Sequence, residues 1–208
     1  MRWEGFSEIG RFILIVGLLI LIVVTCVEMV ICEFELLLDR GSTLSAKEMR
    51  ACLQEREEIV LKGSQLAMDE YRAIYIEDKK VGYARLEMSS FFEANVYVYT
   101  VNHELVSYFE SVQNQLLFQG LNEAGLVSGY VLEDEENYVF YSPNLEVIAT
   151  SESKEPRQIQ NLSGACLFEV QYRYNFWRNE QQYEIKRGED SELDLMFVIW
   201  MIFRMEVE

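Results

Sequence analysis

Residues 12–32 read FILIVGLLILIVVTCVEMVIC, twenty-one positions whose only charged side chain is Glu28. At a rise of about 1.5 Å per residue, a helix of this length crosses the roughly 30 Å hydrocarbon layer of a bilayer once. A core helix of that length normally keeps a polar face, and this run has almost none. It therefore reads as a transmembrane helix. A cleaved signal peptide has a shorter apolar core, about 7 to 15 residues, closed by a small-residue site, and no Ala-x-Ala pattern ends this run. Val23-Val24-Thr25-Cys26 has only a loose likeness to a lipidation signal, because apolar sequence continues to Cys32.

The flanks give the run a direction, since positive residues near the ends of a span stay in the cytoplasm. Arg2, Arg11 and the terminal amine precede it, whereas Glu33, Glu35 and Asp39 follow before Arg40. The N-terminus is expected inside and the body outside, a single-pass protein of a bacterial inner membrane. Residues 1–11 hold two basic and two acidic side chains, so the whole formal charge of -17 lies beyond them. An acidic body disfavours nucleic acid and anionic lipid headgroups as partners.

From about residue 33 the chain is long enough for one domain with a real core. Pro143 and Pro156 are its two prolines, and neither an internal repeat nor a low-complexity tract stands out. An amphipathic helix is expected over 33–71, with a possible break at Gly41-Ser42-Thr43. Ser45-Ala46-Lys47-Glu48 has capping-box spacing. Met49, Leu53, Val60, Leu61 and Met68 then recur at roughly helical intervals.

Beyond Tyr71 short runs of Tyr, Val, Phe and Ile favour strands. They are expected at 72–77, 81–88, 96–101, 105–110, 115–118, 126–132, 138–141, 167–176, 183–186 and 195–203. The last of these is about half the length of a span and is assigned to a core strand. The chain then divides into a cytoplasmic N-terminus or leader at 1–11, the span at 12–32, the helix at 33–71 and an antiparallel sheet domain at 72–208. The fold class so predicted is α+β, with a membrane helix extended by an amphipathic helix and followed by a mostly antiparallel β-sheet.

That order of elements resembles the type IV pilin and type II secretion pseudopilin superfamily, its J-type minor members above all. Gly5-Phe6-Ser7 is similar to the prepilin peptidase site, and the resemblance implies cleavage between Gly5 and Phe6. The family's glutamate at the fifth mature position is replaced by Gly10, with Glu8 standing third and Arg11 interrupting the apolar run. The segments 48–72, 105–108 with 115–118, and 167–177 resemble the post-anchor helix and strands of minor pilins. A second resemblance lies at 71–88, where Ile74-Tyr75-Ile76, a turn and Lys80-Val81-Gly82-Tyr83 look like the opening hairpin of transglutaminase-like and lipid-carrier-like periplasmic domains. There the sheet curls into a half-barrel around an apolar ligand.

Chemistry is sparse. His103 is the only histidine and no nucleophile motif surrounds it, so no catalytic residue is assigned and no enzymatic activity is expected. Cysteine-pair, paired-histidine and phosphate-loop motifs are missing from the sequence. Cys26 and Cys32 fall in the apolar run, while Cys52 and Cys166 could form a disulfide in an oxidising compartment. Two acidic clusters carry oxygen ligands of the kind calcium takes, Glu133-Asp134-Glu135-Glu136 and Glu189-Asp190-Ser191-Glu192 with Asp194. Some pseudopilins bind calcium in a late loop, which favours the second cluster. Against that, both read as solvated turns, since neither has the spacing of a calcium loop; no cofactor is expected. Asn161-Leu162-Ser163 fits a glycosylation triplet. Glu28, a carboxylate within the apolar run, could face a neighbouring subunit or reach water at the outer headgroups. The function expected is a non-enzymatic, membrane-anchored assembly subunit, whose partners are the bilayer and other pilin-like or secretion subunits. The alternative is an anchored β-domain that binds a lipid or protein in the cell envelope.

Overall fold

In the computed structural model the described residues are 15–20, 22–24, 27, 41–64, 71–90, 93–113, 116–153, 157–178, 180–188 and 193–205. After α1 (Ala46–Glu55) come twelve strands and a final helix. The strands are β1 (Glu58–Ser64), β2 (Tyr71–Ile76), β3 (Lys79–Ser90), β4 (Glu93–Thr100), β5 (Leu105–Gln113) and β6 (Leu117–Asn122). They continue as β7 (Val127–Glu133), β8 (Tyr138–Tyr141), β9 (Val147–Ser151), β10 (Gln158–Asn161), β11 (Cys166–Asn175) and β12 (Glu180–Arg187), ahead of α2 (Leu195–Met205). Every strand pairs antiparallel with its neighbour in sequence, and β1 pairs with β12, so the sheet closes into an up-and-down barrel. Closure leaves no long unpaired sheet edge.

Side chains alternate across the wall as the pleat requires. Ile59 and Leu61 on β1, Val96 and Val98 on β4, and Tyr138 with Phe140 on β8 are among the buried set. The centre of that set is α2: each residue from Leu195 to Phe203 is at most 1% exposed. Trp200 is ringed by Phe109, Phe118 and Tyr138, with centroids 4.7 to 6.3 Å away. Phe197 meets Phe109 and Phe140 edge-on. Gly120 and Gly129 lie opposite one another on β6 and β7, and a Cβ on either would come within about 3 Å of the Phe197 ring. These two glycines make room for the helix against the wall. The barrel thus encloses its own C-terminal helix.

Two polar contacts fix that helix lengthwise. Asp194 Oδ1 accepts from Met196 N–H (3.1 Å), capping the first turn, while its other oxygen accepts from Arg50 of α1 at 2.6 Å. At the far end Arg204 donates to Glu133 at 2.8 and 3.2 Å. The α1 helix covers the Asp194 end, burying Met49 and Leu53, and its Ser45–Glu48 capping box is formed. The hydrogen bonds from Ser45 hold the Glu48 carboxyl below its usual range.

Several expectations are corrected here. Among the described residues no helix is long and apolar enough to cross a membrane. This overturns the single-pass inner-membrane placement and, with the closed barrel, the α+β pilin-like architecture. Of 12–32, the described positions 15–20, 22–24 and 27 are helical and exposed. The helix expected over 33–71 is, among the described residues, limited to Ala46–Glu55. Glu58–Ser64 is instead a strand, because Ile59, Leu61 and Gly63 alternate inward with a period of two. The core strand expected at 195–203 is α2: a helix inside a barrel meets apolar wall on every side and needs no polar face. The outer surface carries Glu169, Gln171 and Arg173 on β11 and Lys186 on β12, opposite in sense to a lipid-spanning barrel, whose apolar band faces outward.

Candidate interaction surface

The two ends of the barrel differ in their loops. At the end covered by α1, four hairpins use one device. The residues Thr100, Asn122, Ser142 and Asn161 each accept at the backbone oxygen from the amide three positions on, at 2.9 to 3.1 Å. Their side-chain oxygens each accept from the amide four positions on, at 2.9 to 3.2 Å. The third residue after each, His103, Gly125, Leu145 or Gly164, has φ between 64° and 84°. Such a loop, a turn followed by a left-handed residue, suits a hairpin between twisted strands. Asn161-Leu162-Ser163 is one of these turns. The recurrence at 100, 122, 142 and 161 is a repeat on the scale of one hairpin.

At the other end the hairpin between β11 and β12 carries bulky aromatics outward. Phe176 is 69% and Trp177 78% exposed, and Tyr172 and Tyr174 below them are 51% and 41% exposed. The Asn175 side chain accepts from the amides of Trp177 (3.2 Å) and Arg178 (3.4 Å), shaping the tip, and the Phe176 and Trp177 rings meet edge-on at 5.9 Å. Arg173, on the outer face, pairs with Glu184 at 3.1 Å. Beside this hairpin lies a cleft of ≈ 660 Å³ lined by Glu169, Val170, Gln171 and Tyr172 of β11 together with Arg157, Tyr183 and Met205. Met205 is the last described residue of α2, which places the cleft at the Arg204 end of that helix.

A third feature is a tyrosine ladder outside β2–β5. The rings of Tyr71, Tyr83, Tyr99, Tyr97 and Tyr108 follow one another at 5.1 to 6.2 Å. His103 Nδ1 lies 2.5 Å from the Tyr83 hydroxyl. Burial raises the Tyr83 and Tyr99 phenols above their usual range, and each is raised further by a neighbouring anionic or phenolic group. The ladder joins adjacent strands ring on ring, a sheet-stabilising arrangement.

The structure places some of the residues nominated from the sequence, and others lie outside the described ones. Cys52 and Cys166 are free thiols, and burial pushes the Cys166 thiol up. Asp194 caps α2 and pairs with Arg50, while Glu189, Asp190 and Glu192 lie outside the described residues. Gly5, Phe6 and Glu28 also lie outside them. Glu133 of the other acidic cluster is buried against Arg204. Among the described residues no group of three or more acidic, histidine or cysteine side chains is placed to hold a metal. The residues not foreseen are Arg157, Tyr172, Phe176, Trp177 and Met205. Their signal was present in Tyr172-Arg173-Tyr174-Asn175-Phe176-Trp177-Arg178, a run too aromatic for an ordinary solvated turn.

Together these features define a helix-plugged up-and-down barrel with one sealed end and one aromatic end. Compared with known protein families, curated proteins and solved structures, the chain matches none.

Proposed function

We propose that this protein is a non-enzymatic recognition module, a rigid barrel that presents its aromatic end to a protein partner. The lumen of a barrel is where a lipid carrier holds its ligand, and α2 already fills it. That turns attention from the interior to the surface. The observation that carries the reading is the β11–β12 tip, where Phe176 and Trp177 stand in solvent on an ordered Asn175 turn. Large aromatics held in place at low conformational cost are the side chains that anchor protein interfaces. The non-enzymatic part is supported by the position of His103 on an exposed turn, engaged with Tyr83.

Site-specific photocrosslinking in the cells that make the protein tests this. A crosslinker at position 177 is expected to give discrete adducts, and one at position 145 on the sealed end to give none. Equal labelling from both positions, or no adducts from 177, contradicts the reading.

A further inference from the structure

The tyrosine ladder holds a pair of side chains that recognition at the tip does not use. Tyr83 on β3 stands opposite Tyr99 on β4, and Tyr97 opposite Tyr108 on β5, so register alone stacks these rings across the outer face of the wall. Tyr71 joins from β2, where Ala73, opposite Tyr83, takes up little space. His103 reaches Tyr83 from the β4–β5 turn. Its N–H donates to the Thr100 carbonyl at 3.1 Å, the Thr100 hydroxyl accepts from the next amide, and φ of 65° sets the residue in the left-handed region. An ordered turn thus delivers the imidazole to a ring fixed in a sheet. Nδ1 lies 2.5 Å from the phenol oxygen, and the two rings meet edge-on at 5.6 Å.

A phenol that loses an electron becomes a strong acid, so its oxidation is easy only where the proton has somewhere to go. A neutral imidazole with its proton on Nε2 accepts at Nδ1 and can take that proton. His103 is the only histidine of the chain, so no other tyrosine can have this partner.

We propose that Tyr83 and His103 form a redox-active pair, the sink to which one-electron oxidation of the ladder drains. The oxidant is a diffusing one-electron acceptor of the radical class. It takes an electron from any ring of the ladder, and that ring releases its phenolic proton to water. Tyr83 then gives an electron to the oxidised ring through neighbours spaced 5.1 to 6.2 Å apart, and that ring regains a proton from water. The proton of Tyr83 moves to His103 Nδ1. What results is the reduced oxidant, a neutral phenoxyl radical at 83 and an imidazolium at 103. This chemistry is independent of partner recognition, because it uses the outer wall at β2–β5 and not the β11–β12 tip.

Exposure alone predicts a different site of oxidation. Tyr172 and Tyr174 are 51% and 41% exposed, whereas every ring of the ladder is half-buried. His103→Asn separates the two accounts, since asparagine tolerates positive φ and can still hydrogen-bond the phenol but is no base.

The full chain is oxidised by flash-quenched ruthenium tris(bipyridine) with persulfate. Electron paramagnetic resonance reads the tyrosyl radical, and a nitroso spin trap followed by peptide mass spectrometry locates it. Tyr83 is expected to carry most of the tyrosine adduct in the wild type, with radical formation at least about tenfold faster than in His103→Asn, as for other proton transfers to a positioned base. In that variant the adducts move to Tyr172 and Tyr174. Tyr83→Phe keeps a stacked ring with no proton to give and is expected to lose the fast radical to the same extent. Tyr99→Phe interrupts the ladder, and adducts are then expected at Tyr97 and Tyr108, cut off from the sink. Adducts led by Tyr172 or Tyr174 in the wild type, or equal rates in wild type and His103→Asn, overturn the redox pair. Tyr97 and Tyr108 left unlabelled in Tyr99→Phe overturn drainage along the ladder.

Discussion

At one end of the barrel four loops hold themselves shut with the same pair of bonds, from a side-chain oxygen and a carbonyl to the amides that follow, beneath a helix tied by Arg50 to Asp194. At the other end the β11–β12 loop turns its rings outward. The same antiparallel meander supplies both ends. What separates them is what the loops display: Asn175 satisfies local amides at the tip as its counterparts do at the other end, but the residues it presents are Phe176 and Trp177, which stand in solvent against one another. A loop that carries exposed rings on an ordered turn is the one to examine for function.

The contrast can be broken by substitution. Asp194→Ala removes the cap of α2 and the close partner of a largely buried arginine, with side-chain exposures of 12% and 17%. A loss of about 2–3 kcal/mol is expected in denaturant unfolding. Gly125→Ala meets open space, so its cost is conformational, from φ +73°, and about 1 kcal/mol is expected. At the opposite end Phe176→Ser with Trp177→Ser is expected to change stability by less than about 0.5 kcal/mol, because rings standing in solvent contribute little to folding. A large loss from the tip pair would mean that those rings pack in solution, and the contrast between the ends would vanish.

Part of this molecule was legible in its sequence. The strands expected between 72 and 141, at 167–176 and at 183–186 overlap strands of the barrel, because alternating Val, Tyr and Phe mark a half-buried pleat. Closure was not legible, since the pairing of β1 with β12 joins residues more than a hundred positions apart. It was hidden further by Gly63 and the Val60–Leu61 pair, which satisfied a helical spacing as well as an alternating one. The run 195–203 shows the limit of periodicity: nine apolar residues fit a core strand or a helix surrounded by wall equally well. The distinguishing signs were Asp194 as a cap and Leu195, Met196 and Met201, which carry no branch at Cβ and favour helix. Of the interaction surface, the aromatic run at 172–178 was visible, yet placing 167–176 in one strand concealed that its end is a tip. The strand β10, Gln158–Asn161, has too little apolar character to announce itself.

The central claim is that α2 plugs the barrel and leaves recognition to the outer rim. Amide hydrogen exchange resolved to single residues tests it most directly, since protection reports the opening free energy of each segment. The amides at the centre of 195–205 are expected to be among the slowest in the chain, exchanging only on global unfolding, while those at 176–178 exchange fastest. Exchange of α2 as rapid as that of the tip would contradict the plugged barrel and the recognition reading built on it.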